Sequence, residues 1–200
     1  MDKNEFRTRY SLHRLSDVIP SAPVKMPSRK AAVLIPLIEK NQQLHILLTQ
    51  RPMHLRSHPG QISFPGGKTE QGDKDDIATA LREAHEEIGL ASSNVEVLGQ
   101  FPTHKTFTGF DVTPVVGIIE RPFKLVIDPG EVQDCFTVPL QYFIQQENRH
   151  QKRFMRNGKE YTVYLMPFED RFIWGVTAAI IDLLCRHISL DNVANIQTSR

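Results

Sequence analysis

Cysteine and tryptophan are scarce in this 200-residue chain, which holds two of the first and one of the second, and it has almost no net charge. Cys135 and Cys185 form no metal-binding or redox spacing, so a disulfide framework and a zinc module are both excluded. Their apolar surroundings predict buried free thiols, which suit a reducing compartment. Twenty-four basic residues offset 23 acidic ones, giving a net charge of +1. No global field therefore recruits nucleic acid or a membrane surface, and neither is an expected partner. Long hydrophobic runs are also missing. The two longest, residues 31–38 and 176–185, fall far short of the roughly 20 residues that cross a bilayer. With no secretory pattern at the start and no Ser-Lys-Leu at the end, the expected location is cytoplasmic.

A hydrophobic content of 40% and a charged content of 24% are those of an ordinary globular protein. Residues 1–30 are basic, polar and proline-containing, and read as an N-terminal extension in which Phe6, Tyr10, Leu12 and Leu15 support one short helix. Residues 31–188 read as a single domain and 189–200 as a polar tail. Residues 31–37 and 44–49 are apolar runs expected to form a hairpin of buried strands about Asn41. Residues 95–101 and 112–119 read as further strands, with a polar loop between them. Residues 131–138 fit no single pattern, and 139–146 look like a short helix. Asn157-Gly158 predicts a tight hairpin within 153–166. Residues 172–187 read as a buried helix that places Trp174 in the core. Strands and helices in this order predict an α/β fold with a mixed sheet between helices.

The chemistry concentrates between Gly66 and Leu90. At about 100° per residue, Ile77, Leu81, Ala84 and Ile88 share one narrow sector of a helix, while Glu83, Glu86 and Glu87 lie opposite. Asp75 and Asp76 suit the helix start, and Gly89 suits its end. Acidic residues opposite an apolar stripe are ordinarily a solvated face, and Arg82 with Glu86 makes an ordinary i,i+4 pair. Glu83 and Glu87, however, are like charges one turn apart, which repel unless a cation lies between them. Hard divalent cations take oxygen ligands, and Mg²⁺ characteristically combines one or two carboxylates with substrate phosphates.

Gly66-Gly67, Asp73, Arg82-Glu83 and Glu86-Glu87-Ile88-Gly89-Leu90 together resemble the signature box of the Nudix hydrolases. Relative to the general pattern, aspartate replaces glutamate at 73, one residue is inserted before Arg82, and Ala84 holds the aliphatic position. Immediately upstream, Leu47-Leu48-Thr49-Gln50-Arg51, Leu55, His58 and Gly60-Gln61-Ile62-Ser63-Phe64-Pro65-Gly66-Gly67 resemble the additional signature of the coenzyme A diphosphatase branch, which shares both departures. Further similarity at residues 112–117 and 174–178 extends the resemblance over most of 31–185.

The resemblance implies a Nudix α/β/α sandwich. It implies a Mg²⁺- or Mn²⁺-dependent hydrolase that cleaves coenzyme A, or its thioesters, to adenosine 3′,5′-bisphosphate and 4′-phosphopantetheine. Glu83, Glu86 and Glu87 would hold metal together with the Gly67 carbonyl, and Arg82 would orient them. Glu131 and Glu86 are alternative general bases. Arg51, His58 and Gly66 are the expected substrate contacts, with Lys105 a weaker one and His54 a structural hydrogen-bond partner. The partner is a small molecule, and a homodimer is compatible with this reading. Two other readings stay open: a Nudix hydrolase of another nucleoside diphosphate derivative, and a non-catalytic nucleotide-binding Nudix domain.

Overall fold

A computed structural model describes residues 1–12, 28–106, 108–156 and 159–189. Helix α1 (Lys3–Leu12) precedes strand β1 (Arg29–Lys40), β2 (Gln43–Gln50), and the short strands β3 (Ile62–Ser63) and β4 (Gly66–Lys68). Helix α2 (Asp76–Ile88) follows, then β5 (Val95–Gln100), β6 (His104–Lys105), β7 (Phe110–Ile119), β8 (Asp134–Pro139) and α3 (Leu140–Ile144). Strands β9 (His150–Arg156), β10 (Lys159–Phe168) and β11 (Arg171–Trp174) lead to helix α4 (Val176–His187).

The main sheet runs β3-β2-β1-β7-β5, with β4 added to β1, β6 to β7 and β8 to β2. Its β1–β7 pairing is parallel and every other pairing is antiparallel, so the sheet is mixed as expected. β1 is a continuous apolar run because both of its faces are covered. Ala32 and Leu34 pack with Ala80, Ala84 and Ile88 of α2. Ile35 and Leu37 pack on the other side with Phe143 of α3 and Ile180, Ile181 and Leu184 of α4. A separate antiparallel sheet, β11-β10-β9, buries Met166 and Ile173 in that second core.

Several expectations are corrected. The last helix begins at Val176 rather than near residue 172, because Gly175 takes a left-handed φ of 68° and the preceding residues pair with β10. Trp174 therefore sits on a strand and is 44% exposed, not in the core. Cys135 is half-buried on β8, while Cys185 is buried, and both are free. Burial pushes each thiol up to about 12. His104 and Lys105, assigned to a polar loop, pair with β7. The ambiguous segment resolves into a turn at Glu131 followed by β8. Strand β1 already begins at Arg29. Leu15, the Asn157-Gly158 turn and residues 190–200 lie outside the described residues; Arg156 and Lys159 on either side of that turn are paired.

Helix α1 is fastened to the domain by aromatic packing. Phe6 is fully buried, and Tyr10 meets Phe101 and His187 edge-on at 6.1 and 4.9 Å. The His187 ring nitrogen Nε2 lies 2.9 Å from the Tyr10 carbonyl. Arg7 reaches Glu96 and Glu120, both at 2.6 Å, but such partly exposed pairs contribute little. Truncating Phe6 to alanine should cost about 3 kcal/mol in urea unfolding, whereas Arg7→Ala should cost under about 1 kcal/mol.

Candidate active site

The site grows from a strand pairing that brings a glycine turn beneath a helix. β4 runs antiparallel to β1, with Gly66 opposite Val33 and Gly67 opposite Ala32. A side chain at 66 would place its Cβ 2.4 Å from the Ala32 carbonyl oxygen, and one at 67 would stand 2.4 Å from a carboxylate oxygen of Glu83. Only glycine lets the turn approach so closely. Helix α2 is capped by the Asp75 carboxylate, which accepts from the Ala78 amide at 2.7 Å, and Gly89 closes it in the left-handed conformation.

Between turn and helix, Asp73 and Arg82 form the principal brace. Arg82 donates to both carboxylate oxygens of Asp73 at 3.0 Å, a bidentate pair. Asp73 also accepts from the Glu70 amide and the Thr79 hydroxyl, each at 2.9 Å. Arg82 further donates to the Lys68 carbonyl at 2.9 Å, to Glu83 at 3.1 Å and to Glu86 at 2.8 Å. The Arg82 hydrogen bonds hold the Asp73 carboxyl well below the usual range, and Asp73 in turn raises the guanidinium. Asp73 is thus a functional candidate that the sequence flagged only as a departure from the family pattern.

Glu83 and Glu87 are not a solvated face. They are 9% and 4% exposed, and their carboxylates lie with that of Glu131 within 4.8 Å of one another. Glu131 reaches them because its turn is tied down at both ends. The Asp128 amide donates to the Glu87 carbonyl at 3.0 Å, and the Gln133 amide donates to the Gln50 carbonyl at 2.8 Å. Arg51 follows Gln50, and its charge acts on Glu87. Glu86 stands apart from this trio, exposed and paired with Arg82. His58 lies on an exposed loop at a φ of 55°, and His54 and Lys105 are likewise exposed.

Burial, then the charges of Glu131 and Glu83, push the Glu87 carboxyl up to about 8, while the Gly66 backbone and Arg51 pull the other way. Burial likewise raises Glu83. One Glu87 oxygen is buried with no hydrogen-bond partner. An orphan carboxylate oxygen with two further carboxylates in reach makes an all-oxygen donor set. Its chemistry fits a hard divalent cation.

The NUDIX domain model matches residues 28–158, and the chain belongs to the Nudix family. It is 42% identical over 162 residues to the Nudix hydrolase NudL of Enterobacter sp. (strain 638), a match covering 81% of this chain and 84% of the relative. It is 40% identical over 187 residues to NudL of Shigella flexneri serotype 5b, covering 94% and 95%. The chain is therefore a NudL-like Nudix hydrolase, a diphosphatase, and family members generally use divalent metal ions. The fold is also that of the crystal structure of a NUDIX hydrolase from Alicyclobacillus acidocaldarius, with a TM-score of 0.53 at 16% identity, covering 86% of this chain and 97% of that one.

Three outcomes follow from this geometry. Without divalent ions the folded Glu87 carboxyl keeps its proton up to about pH 8, whereas an unfolded one releases it near 4.5. The folded state then binds more protons across that window, so stability falls as pH rises through it. Glu87→Gln should accordingly be more stable than the metal-free parent, by on the order of 2 kcal/mol at pH 8, with the gain shrinking towards about pH 5. Saturating Mg²⁺ should reverse the order in thermal melts, since only the parent gains binding energy in full. Asp73→Ala should weaken metal affinity by roughly 10- to 100-fold, measured by Mn²⁺ titration, through loss of the Arg82 brace.

Proposed function

We propose that this Nudix hydrolase cleaves the diphosphate of coenzyme A or its thioesters. The observation that carries the hydrolytic reading is the convergence of Glu83, Glu87 and Glu131 beside the Gly66-Gly67 turn. The narrower substrate reading is supported by the upstream signature, whose Arg51 acts on Glu87. Two free cysteines fit a reducing, cytoplasmic setting.

Glu83, Glu87 and the Gly67 carbonyl would hold Mg²⁺ or Mn²⁺. Such an ion supplies charge neutralisation at the phosphoryl oxygens and lowers the pKa of water. The side chains do the remaining work. Arg51 offers a planar guanidinium for bidentate contact with a phosphate. Glu131 is the exposed member of the trio, and its carboxylate can take the proton of an attacking water. Arg82 fixes the Glu83 and Glu86 carboxylates so that little reorganisation accompanies charge development. Glu86, bound to Arg82 and outside the trio, is better suited to tuning that arrangement than to proton transfer.

Purified protein with Mg²⁺ or Mn²⁺ should convert coenzyme A to adenosine 3′,5′-bisphosphate and 4′-phosphopantetheine faster than it hydrolyses ADP-ribose or NADH, and reaction in ¹⁸O water should label one product. Faster hydrolysis of ADP-ribose or NADH would overturn the substrate assignment. Glu83→Gln and Glu87→Gln should each lower turnover by roughly a hundredfold or more with circular dichroism unchanged. Glu131→Gln should lower kcat by about 10²-fold or more, whereas Glu86→Gln should lower it far less.

A further inference from the structure

The chain's one tryptophan is spent on the surface. Trp174 and Phe172 are 44% and 52% exposed, on the outer face of β11, while Ile173 between them is fully buried. Three contacts join this strand end to the site. The Thr177 hydroxyl donates to the Ile62 carbonyl at 3.1 Å in a buried bond, locking the turn after Trp174 onto β3. The Gln61 amide nitrogen lies against Gly175, 3.9 Å from where a Cβ would stand. The Gln61 carbonyl accepts the Arg51 amide at 3.0 Å. Arg51 follows Gln50, whose carbonyl holds the turn that carries Glu131, so Trp174 is joined to the site through Gly175, Gln61 and the end of β2.

We propose that Trp174, with the Gln61 amide lying against the adjoining Gly175, receives the purine base of the nucleotide half of the substrate. The proposal rests on the diphosphatase reading above and adds where specificity for that half is set. An exposed indole offers a π-face on which a base stacks, an interaction that tolerates water on one side. A carboxamide can both donate to and accept from the edge of an adenine ring. Among the described residues the Gln61 side chain makes no hydrogen bond within the protein. A purely apolar acyl chain would use the indole surface and leave that amide unmatched, and the amide-rich pantetheine arm would pair with the amide but leave the indole face without a flat partner. A purine uses both.

The single tryptophan makes the contact directly readable. Adenosine 3′,5′-bisphosphate, titrated with Mg²⁺ and excited at the red edge of indole absorption, should quench emission saturably, and 4′-phosphopantetheine should not. Trp174→Ala should raise KM for coenzyme A roughly tenfold, with the loss falling in KM rather than kcat. Trp174→Phe should recover most of it, and Gln61→Ala should raise KM for purine substrates more than for UDP-glucose. Unaltered emission with the bisphosphate, quenching by 4′-phosphopantetheine instead, or equal KM changes for purine and pyrimidine substrates would each overturn the proposal. The outcome is separable from the substrate assignment. If the parent protein hydrolyses coenzyme A while emission stays flat, the platform fails alone. If ADP-ribose is the better substrate and quenches, the platform stands and the coenzyme A assignment fails.

Discussion

Two glutamates one helical turn apart, both almost withdrawn from water, set the terms for everything around them. Glu83 and Glu87 gain nothing from burial as anions, and a third carboxylate from Glu131 adds to the repulsion. A stable apolar alternative at positions 83 and 87 would pack against the same sheet at no electrostatic cost. Their presence makes sense as stored demand for positive charge. The protein meets a fraction of it with Arg51 and Arg82 and leaves a Glu87 oxygen unpartnered. A divalent cation bound as proposed would supply the remainder, so that folding and ion binding would share one set of oxygens.

Such repulsion would open the site were it not braced from outside. The Asp73–Arg82 pair does this at the helix, joining the loop before α2 to its middle through a bidentate contact that also reaches Lys68. The brace explains why a shorter acid at 73 with one extra residue before Arg82 still works. The carboxylate is one methylene nearer the backbone, and its loop is fixed by the Glu70 amide and the Thr79 hydroxyl. Spacing and side-chain length thus change together while the contact with the guanidinium is kept.

Local periodicity made the helix, its cap, its glycine end and the strand pair legible, because those features depend on neighbours within a few residues. It misplaced the burial of Glu83 and Glu87. An acidic sector away from the Ala84 and Ile88 stripe reads as solvent-facing, yet the Gly66-Gly67 turn lies over Glu83, and Glu87 stands only about 90° from the middle of the stripe, so both are buried while Glu86 stays exposed. No helical wheel contains the turn. Trp174 was misread for a related reason. A run of apolar residues before α4 resembles helix, but pairing with β10 and the left-handed Gly175 switch its period from 3.6 to 2 and turn the indole outward. Glu131 could be singled out only by resemblance, since what delivers it is a pair of backbone bonds to Glu87 and Gln50, residues 44 and 81 positions away in the chain.

Those same backbone bonds explain why the site needs the whole mixed sheet. Asp128 binds the end of α2, Gln133 binds the end of β2, and Arg51 binds Gln61 ahead of β3. Arg171 of the second sheet donates to Gln50 at 3.4 Å and to Asp134 at 2.8 Å, and stacks its guanidinium over Phe136 at 3.9 Å. Four separate stretches of chain therefore meet around one strand end, each fixed by main-chain or charged contacts rather than by side-chain packing alone. Cleaving a diphosphate requires donors placed where charge develops, with no cost of rearrangement at that moment. A carboxylate cluster held by bonds from four directions meets this requirement, and the repulsion it stores, relieved below about pH 8 by the proton on Glu87, would be relieved at higher pH by the proposed divalent ion.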